Sequence, residues 1–154
     1  MRLGVRLALD WGKARIGVAA CDAQGLLAYP VATVAVDRQT DARLLALFAE
    51  YQPIEVVVGL PRTLAGHEGQ AATDVRAAIT ALADRVSVPV RLVDERMTTV
   101  SASRQLTSAG RRIRQQRAVI DQAAAVAILE QALESERHTG RPPGTLLADR
   151  AEQP

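Results

Sequence analysis

Aromatic residues make up only 3% of this 154-residue chain, with a single Trp and a single Phe. A core built from it must be mostly Ala, Val, Leu and Ile, and few side chains remain as platforms for stacking single-stranded bases. Cys21 is the only cysteine. That excludes an intrachain disulfide and makes a reducing compartment, the cytoplasm by default, the expected setting. No Cys/His spacing suits zinc. No apolar run approaches the roughly 18 residues of a bilayer span, so no membrane partner is expected. Arg6 and Asp10 interrupt the apolar residues that a signal peptide would need. A Gly-x-x-x-x-Gly-Lys-Ser/Thr loop and a Gly-x-Ser-x-Gly elbow are both missing. Excess charge is missing too: the net of +2 does not by itself imply a nucleic-acid partner.

What is present is ordinary for one globular domain: 48% hydrophobic and 23% charged residues. Short apolar runs predict strands near Val5–Asp10, Ile16–Cys21 and Val31–Val36, joined by short turns into an antiparallel meander. Leu44, Leu45, Leu47, Phe48 and Tyr51 then recur at helical spacing, with Thr40 or Asp41 as cap and Pro53 as stop. Ile54–Gly59 is β-branched and suits a strand buried on both faces. A helix is expected over Gln70–Val86 and a strand over Val90–Val93. A further helix runs from Thr98 or Thr99 to Ala109, and a last one from Val119 to Leu133. The order predicts an α/β domain over residues 1–135, with a mixed five-stranded sheet, helices on both faces and the first strand central. Residues 136–154, with Gly140, Pro142, Pro143 and Gly144, are expected to be a disordered tail.

The stretch from Leu7 to Cys21, LALDWGKARIGVAAC, is the organising one. A strand ends on a carboxylate, Asp10, followed by Gly12, Lys13 and Arg15. Asp-x-Gly is common as a plain hairpin turn. It also suits a site for a metal ion or a phosphate, because a strand end holds the acid rigidly and Gly12 leaves room for a ligand. The case rests on whether other acids converge on Asp10. Glu95 follows the last strand, and in open α/β sheets the ligand crevice lies beyond the carboxyl ends of the parallel strands. Asp121 lies in the first turn of the last helix. Carboxylates of this kind are the usual ligands of Mg²⁺ or Mn²⁺. Each acid also has a structural reading: Asp121 as a complement to the helix dipole, and Asp94 or Glu95 as a partner for Arg96.

From Met97 to Ile120 there is no acid, and there are five arginines: Arg104, Arg111, Arg112, Arg114 and Arg117. Subtracting those five from the net of +2 leaves −3 for the rest of the chain. The basic charge is therefore local and adjoins Glu95 and Asp121, where it either neutralises nucleic-acid phosphates or forms a solvated loop.

Four segments in order, LALDWGKARIGVA, VVVGLPRTLAGHEG, LVDERMTTVSA and IDQAAAVAILEQAL, resemble the YqgF (RuvX) family of bacterial proteins. Members are described as pre-16S rRNA nucleases or Holliday junction resolvase-like proteins. The resemblance spans about Leu3 to Leu133. It implies an RNase H-like fold and a metal-dependent phosphodiesterase whose catalytic and metal-binding acids map onto Asp10, Glu95 and Asp121. One or two Mg²⁺ or Mn²⁺ ions are implied as cofactor. Gln122 stands where the family often has Ser, and no basic residue occupies Val119 or Ile120, Arg117 being the nearest.

The expected activity is endonucleolytic cleavage of structured RNA, in 5′-end processing of pre-16S rRNA. The residues expected to hold the nucleic acid are Lys13, Arg15, Arg96, Thr98, Arg111, Arg112, Arg114 and Arg117. Two rivals stay open. One is a resolvase of four-way DNA junctions, which should be a two-fold symmetric dimer. The other is a non-catalytic RNA-binding ribosome-assembly factor that retains the acids. A nucleotide-binding kinase or ATPase fold would need a second domain, for which this chain is too short.

Overall fold

Strand β1 (Arg6–Trp11) lies inside a mixed sheet, and everything that matters for the site is measured from it. In a computed structural model the described residues are 1–61, 69–94 and 113–147. On one side β1 pairs antiparallel with β2 (Arg15–Cys21), which pairs antiparallel with β3 (Ala28–Ala35). On the other side it pairs in parallel with β4 (Glu55–Leu60), which pairs in parallel with β5 (Val90–Asp94). The expected central position of the first strand is therefore found. Among the described residues the sheet has six strands, one more than the five expected, since β6 (Thr145–Leu146) adds antiparallel to β5.

Strand alternation divides the core in two. Leu7, Leu9, Val56, Val58 and Leu92 face one layer, where they meet Leu44 and Phe48 of α1 (Thr40–Tyr51) and Val75, Ile79 and Leu82 of α2 (Gln70–Ala83). Ala8, Ala19 and Val57 face the opposite layer, where they meet Ala125, Ile128, Leu129 and Ala132 of α3 (Ile113–Thr139). The small residues Ala8 and Ala19 let α3 lie close to the sheet. Thr40 does not cap α1 from its own start. Its hydroxyl instead accepts a hydrogen bond from the Asp37 amide at 2.7 Å, and the helix stops where Gln52 turns left-handed before Pro53.

Helix α3 differs from expectation at both ends. It begins at Ile113 rather than near Val119, and it continues to Thr139, past the boundary expected at residue 135. Within the stretch expected as a tail, Glu136 is buried and Leu147 is 7% exposed. The reason is an ionic cluster under the amino ends of β1 and β4. Arg6 and Glu55, Cα partners across the two strands, are each 1% exposed, and Glu136 is 3% exposed. Arg6 Nη2 donates to Glu136 at 2.9 Å, Arg2 Nη2 to Glu55 at 2.9 Å and also to Glu136, and Arg91 Nε to Glu55 at 3.1 Å. Burial opposes the charge on Glu136, but the hydrogen bonds from Arg2 and the neighbouring charge of Arg6 outweigh it and hold the carboxyl below its ordinary range. The helix expected over residues 98–109 lies outside the described residues.

Candidate active site

At the other end of the sheet the rows of paired residues put Asp10 among glycines. Its Cα partner on β2 is Gly17 and its partner on β4 is Gly59. Gly17 in turn faces Thr33 on β3, and Gly59 faces Val93 on β5. By alternation from Ala8, this row lies on the α3 side of the sheet. The residues paired with the half-buried Asp10 on both neighbouring strands thus carry no side chain.

Gly17 is also where α3 touches the sheet. A Cβ built there would stand 1.9 Å from the Asp121 carbonyl oxygen, so only glycine permits this approach. Beside it, Gln122 Nε2 donates to Thr33 Oγ1 at 3.0 Å, which fixes the rotation of the helix over the row. The outcome is that Asp121, 111 positions from Asp10 in the chain, stands over the residue paired with it.

Arg15, expected to meet phosphate, is turned inward: its Nε donates to Asp121 Oδ2 at 2.7 Å. Only one carboxylate oxygen is used in that contact. Lys13 is exposed at the hairpin tip. Gly12 has a role inside the hairpin as well. Its amide donates to the Arg15 carbonyl at 2.9 Å, and a Cβ would come within 2.7 Å of that oxygen.

Asp94 ends β5 at the same edge, opposite Leu60. Glu95, Arg96, Thr98, Arg111 and Arg112 lie outside the described residues, and of Arg114 and Arg117 only the helical backbone is described. Among the described residues no three ligand-type side chains form one cluster, so the described part of the acid set is the pair Asp10 and Asp121. The hard oxygen donors of that pair suit Mg²⁺ or Mn²⁺. Sequence reasoning missed the role of Gly17 and the Thr33–Gln122 contact. The available signal was a glycine within the otherwise apolar run Ile16–Ala20, which marks close backbone approach.

On the opposite face of β1 the same hairpin borders a groove of about 490 Å³. Trp11, Val36, Pro61 and Val75 form its apolar walls, with Asp10 and Lys13 at the hairpin side and Asp74 on the α2 side. Among the described residues no helix is long and apolar enough to cross a membrane.

A β-hairpin followed by parallel strands, with helices on both faces and an acid ending the central strand, defines the class of RNase H-like folds. Thermus thermophilus RuvC, solved in complex with a Holliday junction substrate, superposes with a TM-score of 0.59 at 18% identity, covering 90% of this chain and 99% of that one. A family profile described as "RuvX: Holliday junction resolvase" matches residues 4–135. The chain belongs to the RuvX family. Relatives named "Putative pre-16S rRNA nuclease" include one from Streptomyces coelicolor, 62% identical over 94% of this chain and 88% of its own length. Another, from Cutibacterium acnes, is 58% identical over 87% of this chain and 84% of its own.

Proposed function

We propose that this protein is a metal-dependent endonuclease that cleaves structured RNA in 5′-end processing of pre-16S rRNA. The observation that carries the reading is the seating of Asp121 on Gly17, beside Asp10. The backbone of Asp121 then lies over the residue paired with Asp10, near the carboxyl end of the parallel strands. The names of the relatives support RNA as substrate.

In this reading Asp10, Asp121 and Glu95 hold one or two Mg²⁺ or Mn²⁺ ions. Such ions supply Lewis-acid polarisation of a phosphodiester and a nucleophilic hydroxide at neutral pH. Asp10 is the central ligand, because the central strand fixes its backbone and both of its Cα partners are glycine. Asp121 offers the oxygen that Arg15 does not use, and Arg15 holds that carboxylate in one orientation. Lys13, Arg96, Thr98, Arg111, Arg112, Arg114 and Arg117 neutralise and position the nucleic-acid backbone, which makes affinity fall with salt.

The test is cleavage of a labelled pre-16S rRNA with Mg²⁺, Mn²⁺ or EDTA, wild type beside Asp10→Asn. Metal-dependent cuts should fall about 100-fold or more in the variant, while its urea midpoint stays near that of wild type. Undiminished cleavage by clean Asp10→Asn protein would overturn the assignment. RNA binding without cleavage under any metal would favour the assembly-factor reading. The RuvC likeness and the family's description favour a second reading, resolution of four-way DNA junctions. Preferential cutting of a synthetic junction by a dimer would establish it.

A further inference from the structure

The single tryptophan of the chain, Trp11, directly follows Asp10 and is half-buried at the end of β1. It packs against the core with its apolar neighbours and lines the 490 Å³ groove. Strand alternation sends Asp10 to the α3 side of the sheet and Trp11 to the other. The hairpin tip, with Gly12 and Lys13, belongs to the rim of the groove, and Asp10 borders it as well. A phosphate at the Asp10 site therefore lies one residue from an apolar slot walled by an indole, with Lys13 also on the slot's lining. Across the slot stands Asp74, whose Oδ1 accepts a hydrogen bond from Gln70 Nε2 at 2.8 Å. Its other oxygen remains to accept from an exocyclic amino group.

Apolar walls, an aromatic platform, a phosphate-seeking cation and a carboxylate acceptor together match one occupant. That occupant is an unpaired nucleobase turned out of its stack. A lipid would not need Lys13 and Asp74 on facing sides. A base inside a duplex could not reach the slot without leaving its partner. We propose that the Trp11 groove is a base-binding subsite, which takes an unstacked nucleobase beside the nuclease site, with Lys13 facing its phosphate, and favours cytosine over uracil through Asp74. The proposal rests on the nuclease reading for the identity of the strand, and it makes that enzyme prefer cleavage beside an unpaired nucleotide.

The test uses binding without cleavage. Because Trp11 is the only tryptophan, its emission reports this groove alone. The full chain in EDTA is titrated with oligo(C), oligo(U) and an abasic ribose-phosphate strand of equal length, and affinity is read separately by filter binding. The expected result is saturable quenching by oligo(C), weaker quenching by oligo(U) and none by the abasic strand. The abasic strand should bind about 10-fold more weakly than oligo(C). Trp11→Ala should erase that 10-fold difference, and Trp11→Phe should keep part of it. Unchanged emission on oligo(C), or equal affinity for oligo(C) and the abasic strand, would overturn the subsite. Equal affinity for oligo(C) and oligo(U) would overturn the role of Asp74. Cleavage of pre-rRNA with no quenching removes the subsite and leaves the nuclease. Quenching with no cleavage under any metal does the reverse.

Discussion

The two ends of the sheet treat acidic side chains in opposite ways. At the amino ends of β1 and β4, Glu55 and Glu136 are 1% and 3% exposed, and three arginines engage them. At the carboxyl end, Asp10 is half-buried between two glycines, and the side chain of Asp121 is 18% exposed with one arginine on one oxygen. Buried carboxylates need their lone pairs met by cations and hydrogen-bond donors, or the uncompensated charge is very costly. The lower cluster meets that demand and joins the N-terminal segment, three strands and α3. In the upper pair Asp121 contacts its arginine through one carboxylate oxygen, which suits a site that has other ligands to receive. One end is built for cohesion and the other for reaction.

Variants can separate the two ends. The largest effect on stability is expected at the lower one. Glu136→Ala leaves Arg6 buried without its carboxylate and should cost about 3–5 kcal/mol, read as a lower urea midpoint. Next comes the contact that seats the upper site. Gly17→Ala forces a methyl group against the Asp121 carbonyl and should cost about 1–3 kcal/mol. If α3 yields instead, cleavage should fall more than stability does. Titration then tests the lower cluster more finely. The Glu136 carboxyl is held below its ordinary range in the folded state, so between the two values the unfolded chain binds more protons. Its contribution is fully present above the ordinary carboxylate range and is lost as pH falls through the lowered folded value. Melting temperatures from pH 7 to pH 3 should show an acid limb that is shallower in Glu136→Gln. The smallest effect is expected for Arg15→Ala, whose pair with Asp121 is partly open to solvent, at about 0–1 kcal/mol. Its larger consequence should appear in cleavage.

How much of this was legible follows from which force placed each element. The five longer strands and helices α1 and α2 carry apolar residues at the period of their own backbone, so sequence pattern locates them. The start of α3 does not. Ile113 is the one large apolar residue in Ile113–Ala118, and the segment is helical through the good propensities of Arg, Gln and Ala rather than through a stripe. The end of α3 was hidden for another reason. Glu136 occupies a core position, but alone in a sequence it looks like surface, since Arg2 and Arg6 lie 134 and 130 residues away. The two-residue β6 offers almost no pattern. In the site, Asp10 could be singled out because it ends an apolar run beside Gly12. That Arg15 would pair with Asp121 depends on a contact across 106 residues, which no local spacing encodes.

Helix α3 also acts as a phase lock. It runs unbroken from Asp121 over Gly17 to Glu136 under Arg6, a span of ~22 Å at 1.5 Å per residue. Each residue turns the helix by about 100°. One residue inserted between those two points would leave either the acid or the clamp facing the wrong way, whatever its side chain. Changes in length within this helix are therefore far less tolerable than changes in composition, and the spacing from Asp121 to Glu136 is as much a part of the site as the carboxylates.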